Sequence, residues 1–222
     1  MSTRFPVRPS RRRFPAGLSF AMIALFAVAS IAGVGCTSTP RPENPVAPGD
    51  DAAARLRRAQ DLSIRAQDAE RAKRPDEAIA LYRQAIAEAP TFAAAWNNLG
   101  VLLMRQSQNM EAANAFRQAA DLDIRDPRPL ANLAALWEQQ RYFDDAAVFY
   151  DQSLARDPNY LPALRNSIRV DDQRDIRTEK QRDRIRAALQ LETDPIWREY
   201  LQRQKQVVDG RLKESASSLG WP

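Results

Sequence analysis

The chain has 222 residues, with 15 prolines, only 7 glycines, a single cysteine, no histidine and a formal charge of +5. The absence of histidine removes any imidazole base or imidazole metal ligand, and one cysteine cannot form an internal disulfide. The few glycines form neither of the common phosphate-cradling loops, so no cofactor and no small-molecule substrate are expected.

The positive charge is local. Arg4, Arg8, Arg11, Arg12 and Arg13 fall in the first 35 residues, which hold no acid, and the 28 cations that remain equal the 28 acids. A broad electrostatic footprint for nucleic acid is therefore not expected. Next comes LSFAMIALFAVASIAGV, Leu18 to Val34, uncharged and mostly apolar. A charged start, an apolar stretch and small residues at its end predict an export signal over 1–35. Its 17 apolar-segment residues also reach the lower limit of a membrane span, which keeps an uncleaved anchor as the alternative.

Gly33-Val34-Gly35-Cys36 resembles the lipobox of bacterial lipoproteins, departing at Gly33, where an aliphatic residue is usual. The resemblance implies cleavage before Cys36 and lipid attachment to it. With Thr37 rather than Asp next, it also implies an outer-membrane location facing the periplasm in a Gram-negative cell. Ser10-Arg11-Arg12-Arg13-Phe14 resembles the core of a twin-arginine signal, with Pro15 departing from it, and both export routes stay open. Residues 36–51 carry Pro40, Pro42, Pro45 and Pro48, which predicts an extended tether of at most ~45 Å.

Beyond the tether the chain repeats every 34 residues. Leu62, Trp96 and Leu130 keep this spacing, as do Ala66, Gly100 and Ala134. So do Ala78, Ala112 and Ala146, and the aromatics Tyr82, Phe116 and Tyr150. Within one unit, Trp96, Leu99, Gly100 and Leu103 share one helical face, and Ala112, Phe116 and Ala119 share another. A hairpin with two apolar faces cannot bury both alone, so its neighbours must stack on it.

The pattern resembles the tetratricopeptide repeat, with units at 59–92, 93–126 and 127–160. Arg65 departs from it by filling a Leu slot, and Pro127 shifts the start of the third unit. The resemblance implies an all-α solenoid of helical hairpins over 52–160. From Leu161 the pattern decays, and 161–210 is expected to hold a divergent fourth pair and a C-terminal capping helix. Thr178-Glu179-Lys180-Gln181 has the form of a capping box. Asp194-Pro195 reads as the start of the last helix, Gly210 as its end, and 211–222 as a tail.

Asn98, Asn132 and Asn166 also keep the period, on a stripe distinct from the apolar face. In tetratricopeptide solenoids this stripe faces the concave groove, so the resemblance implies amides that hold an extended peptide. An Asn amide both donates and accepts, matching a peptide group of any sequence. The alternative is that these amides bond a neighbouring helix. Arg128, Arg165 and Arg169 lie beside the stripe and are the candidates for side-chain specificity. The expected function is a membrane-anchored envelope scaffold or adaptor that binds other envelope proteins. A self-assembling envelope element and, at greater distance, a carboxylate enzyme are the alternatives.

Overall fold

The computed structural model describes residues 48–218. The expected export signal over 1–35, Cys36 and most of the expected tether lie outside the described residues. The described region is entirely helical. Its helices are α1 (Pro48–Arg71), α2 (Pro75–Glu88), α3 (Ala93–Arg105), α4 (Asn109–Leu122), α5 (Arg128–Gln139), α6 (Phe143–Arg156), α7 (Leu161–Gln173), α8 (Glu179–Leu191) and α9 (Pro195–Ser218). Each helix packs chiefly on its neighbours in the chain, as a stack of hairpins requires. In addition α3 touches α5 and α5 touches α7, with no comparable contact between α2 and α4 or between α4 and α6. The first helices of the hairpins therefore make the inner layer and the second helices the outer one.

Four hairpin turns are alike in backbone. Lys73, Ser107, Arg141 and Asp175, each 34 residues from the next, adopt positive φ of 57°, 61°, 65° and 53°. In the second of them Ser107 N–H donates to Met104 O, and Gln108 N–H donates to Leu103 O. The other three repeat this pair of bonds, from Lys73 and Arg74, from Arg141 and Tyr142, and from Asp175 and Ile176. This is a Schellman closure, for which glycine is the usual left-handed residue. None of the four is glycine, so the repeat is regular in geometry where its sequence signal is missing. The α7–α8 hairpin, in which the sequence pattern decays, closes in the same way.

The core is built from small residues against large rings. Ala66, Ala78, Tyr82, Ala112, Phe116, Leu133, Ala134, Ala146 and Tyr150 are fully buried. Gly100 shows why the slot is small: a Cβ there would lie 2.6 Å from the Phe116 ring. Trp96 is only partly buried, and its Nε1–H donates to Pro90 O at 2.9 Å.

Helix α8 starts after Thr178, whose Oγ1 accepts from Gln181 N–H at 3.3 Å. The reciprocal half of the capping box is not made, because the Gln181 side chain is buried with both amide atoms unpartnered. Helix α9 begins as expected, with Asp194 Oδ1 accepting from Ile196 N–H at 2.8 Å. It does not stop at Gly210, however, but continues to Ser218. Leu212 packs against the core cluster that contains Leu201 and Val208, and this contact carries the helix past the glycine. The apolar stripe on α9 is narrower than its sequence suggests, since Ile196 is 78% and Val207 47% exposed. One register beyond Leu164 and Ile168, both buried, α9 presents Arg198 and Gln202 to solvent. A polar face where the next hairpin would dock ends the stack.

Two substitutions should move stability in opposite directions. Gly100→Ala gains helix propensity but pushes a methyl into a ring that cannot retreat, a net loss of about 1–2 kcal/mol. Ser107→Gly relieves the left-handed turn and should gain about 0.5–1 kcal/mol. Urea unfolding midpoints of the two variants against wild type measure both.

Candidate peptide-binding groove

The amide stripe lies on the inner helices, with Asn98 on α3, Asn132 on α5 and Asn166 on α7, all half-buried. Their partners alternate along the stack. Tyr82 on α2 donates its hydroxyl to Glu70 Oε1 at 2.8 Å, and Tyr150 on α6 donates to Glu138 Oε2 at 2.8 Å. Burial raises both phenols well above their ordinary range, and the Glu70 and Glu138 carboxylates raise them further. The amides of Asn98, near Tyr82, and Asn166, near Tyr150, oppose part of that rise. The middle hairpin has Phe116 in the tyrosine slot and offers no hydroxyl. There Asn132 Nδ2 donates instead to Oδ1 of buried Asn97 at 2.9 Å, and Asn97 Nδ2 donates to Asn98 Oδ1 at 3.3 Å. The alternative reading, a bond to a neighbouring helix, thus describes Asn132, whose amide links α5 to α3.

The three arginines beside the stripe are all paired internally. Arg128 turns back on Asp126 at the start of α5, with bonds of 2.8–3.0 Å. Burial alone would raise the Asp126 carboxyl, but the bonds and charge of Arg128, aided by Arg156, hold it below the usual range. Arg169 Nε donates to Glu138 Oε1 at 2.7 Å. Arg165 makes two bonds of 2.5 Å to Glu192, whose side chain is fully buried, and its guanidinium lies over the Trp197 ring at 5.1 Å. Arg165 therefore clamps the α8–α9 connection rather than lining the groove as a spare cation. Its hydrogen bonds, with those of the Asp194 and Thr193 backbone, hold the Glu192 carboxyl below the ordinary range.

Sequence reasoning missed Asn97, the two Glu–Tyr pairs and Glu192. A signal for the pairs existed: a Glu twelve residues before a Tyr occurs at Glu70–Tyr82 and again 68 residues later at Glu138–Tyr150. Glu192 has no such signal, because its role depends on where α9 folds back. Near the end of the stack, burial pushes the Tyr200 hydroxyl up to about 12. No group of His, Cys, Asp and Glu among the described residues could hold a metal ion, and no helix among them is long and apolar enough to cross a membrane.

Residues 62–166 match the family described as the cilia and flagella-associated protein 70 middle TPR-like domain. Solved structures agree with the hairpin geometry. The first TPR of Spaghetti (RPAP3), bound to an HSP90 peptide, aligns with a TM-score of 0.51 at 17% identity, over 54% of this chain and 95% of that one. The folded region is a tetratricopeptide-repeat solenoid. The Arabidopsis OM64 TPR domain gives 0.51 at 15% identity, over 54% and 98% of the two chains. MamA gives 0.53 at 17% identity, over 62% and 75%. No curated protein matches the chain in sequence. At these identities the likeness defines the fold of the TPR solenoid, and its chemistry has to be read from its own side chains.

Two outcomes test the internal pairing. Asn132→Ala leaves the buried Asn97 oxygen without its donor and should cost about 1–2 kcal/mol in chemical denaturation. Glu192→Gln breaks a buried ion pair and should cost about 2–3 kcal/mol at pH 7. The folded-state carboxyl titrates below its unfolded value. Its contribution is therefore present above the ordinary carboxylate range and is lost as pH falls through the lowered value. The gap in melting temperature between wild type and Glu192→Gln should narrow from about pH 4 downward.

Proposed function

We propose that the protein is a membrane-anchored scaffold or adaptor of the bacterial cell envelope, which holds extended segments of other envelope proteins along the inner face of its solenoid. The observation that carries this reading is the row of half-buried amides on that face, Asn98, Asn132 and Asn166, one on each hairpin after the first, where Ile64 takes the slot. Each amide offers two donors and an acceptor oxygen with two lone pairs, more than its internal partner uses. The remainder can meet the N–H and C=O groups of an extended chain. The HSP90 peptide held by the first TPR of Spaghetti is a precedent for a bound segment on this fold.

Anchoring rests on the small-residue cut before Cys36, the sole thiol, with the proline-rich stretch as a spacer. Acylation at Cys36 makes the outer membrane the expected location. Self-assembly is the second reading, and the exposed Ile196 and Val207 of α9 favour it. It requires a mass that grows with concentration in solution.

Two experiments check the proposal. Cys36→Ser should abolish fatty-acid labelling and leave the precursor uncut, whereas unlabelled wild-type protein that stays in the membrane points to the uncleaved anchor. A photo-crosslinker placed at Val101, half-buried on α3, should capture a partner that the same group at exposed Arg117 on α4 does not. Asn98→Ala with Asn166→Ala should weaken that capture about tenfold, or 1.4 kcal/mol. Equal capture from α3 and α4 defeats the groove.

A further inference from the structure

Two clefts at the turn edge of the inner layer carry the same chemistry in alternate hairpins. The first, about 350 Å³, is lined by Glu70, Lys73, Pro75 and Arg105 among others. The second, about 480 Å³, is lined by Glu138, Arg141, Phe143 and Arg169 among others. In each, the carboxylate is already occupied. Glu70 accepts from Tyr82 and Arg105, and Glu138 accepts from Tyr150 and Arg169. The remaining cation, Lys73 or Arg141, enters no ion pair among the described residues, and Arg141 lies over the Phe143 ring at 5.3 Å.

Among its lining residues each cleft thus carries one positive charge in excess beside an apolar surface, Pro75 in the first and Phe143 in the second, while the adjacent acids are engaged elsewhere, Asp76 by Gln106 and Asp144 by Arg174. The hairpin between them has Met104 and Ser107 in the same register and carries no charge there, while the fourth has Asp172 and Asp175. The cationic clefts therefore come as one pair, two hairpins apart. Lys73 and Arg141 also hold left-handed backbone, where glycine would be less strained.

We infer that these two clefts receive two acidic side chains, each with an apolar neighbour, from a single extended partner segment. Inner helices in contact lie about 8–10 Å apart, so two hairpins span about 16–20 Å. At about 3.3 Å per residue, the acidic positions of the partner are about five or six residues apart. This deepens the groove reading above and rests on it.

Fluorescein-labelled synthetic peptides titrated into detergent-solubilised full-length protein test the spacing and the charge. Each peptide carries two Leu–Glu pairs in a Gly/Ser/Thr background, set about three, six or nine residues apart. The peptide with a spacing of about six should bind at least fivefold tighter than the other two, and replacing its Glu by Gln should abolish that preference. Lys73→Asn and Arg141→Asn, which tolerate left-handed backbone, should each cost at least threefold and together about tenfold. Lys73→Asp with Arg141→Asp should instead favour a Leu–Lys peptide of the same spacing. Equal binding at all three spacings, or binding unchanged in the double Asn variant, overturns the inference. If that variant also crosslinks its partner from Val101 as wild type does, the groove stands and only the acidic partner chemistry falls. If crosslinking from Val101 is absent in wild type too, the groove itself has failed.

Discussion

The stack depends on how closely the two helices of a hairpin can approach. Phe116 lies directly over Gly100, with no room for even a methyl group between them. That contact sets the depth of the hairpin, leaves both helices with a second apolar face, and obliges the next hairpin to cover it. The fully buried tyrosines at 82 and 150 hold the equivalent register in the first and third hairpins, with Ala66 and Ala134 as the small residues. The inner amide row and the edge clefts follow, because both are places on first helices whose spacing this packing decides.

A ring slot filled by Tyr, Phe and Tyr in turn makes the inner face alternate. Where the buried ring carries a hydroxyl, the hydroxyl needs an acceptor, and half-buried Glu70 or Glu138 supplies it. Each carboxylate then attracts a guanidinium from the following first helix, Arg105 or Arg169. Where the ring is Phe116, no carboxylate is needed, Met104 stands in its place, and the neighbouring amides bond one another. One hydroxyl present or absent thus propagates through three helices. The Glu–Tyr pairs recur at 68 residues, twice the backbone repeat, while their arginines come from different registers of the following helix.

The C-terminal end shows how such a stack stops. Arg165 and Glu192 tie α7 to the connection before α9, and Trp197 stacks on the guanidinium. Arg198 anchors the same connection by donating to Glu192 O at 2.7 Å. Leu201 and Val208 face inward while Arg198 and Gln202 meet water. Burying a carboxylate completely is tolerable here because every oxygen has a charged or backbone donor.

The helical class, the 34-residue period, the small-against-ring core and the starts of α8 and α9 were legible in the residues alone. These depend on local spacing and capping, which are written in residues close together in the chain. The stripe of Asn98, Asn132 and Asn166 was legible there too. The tertiary structure decided what those amides and the nearby arginines do. Asn132 reaches Asn97 across two helices, Arg165 finds Glu192 27 residues away, and Arg169 finds Glu138 31 residues back. Leu212 holds α9 beyond the glycine that local rules take as its end. Such pairings depend on which surfaces meet once the hairpins stack. A polar side chain near a groove reads the same in sequence whether it is spare or already engaged, and only its neighbours in space tell the two apart.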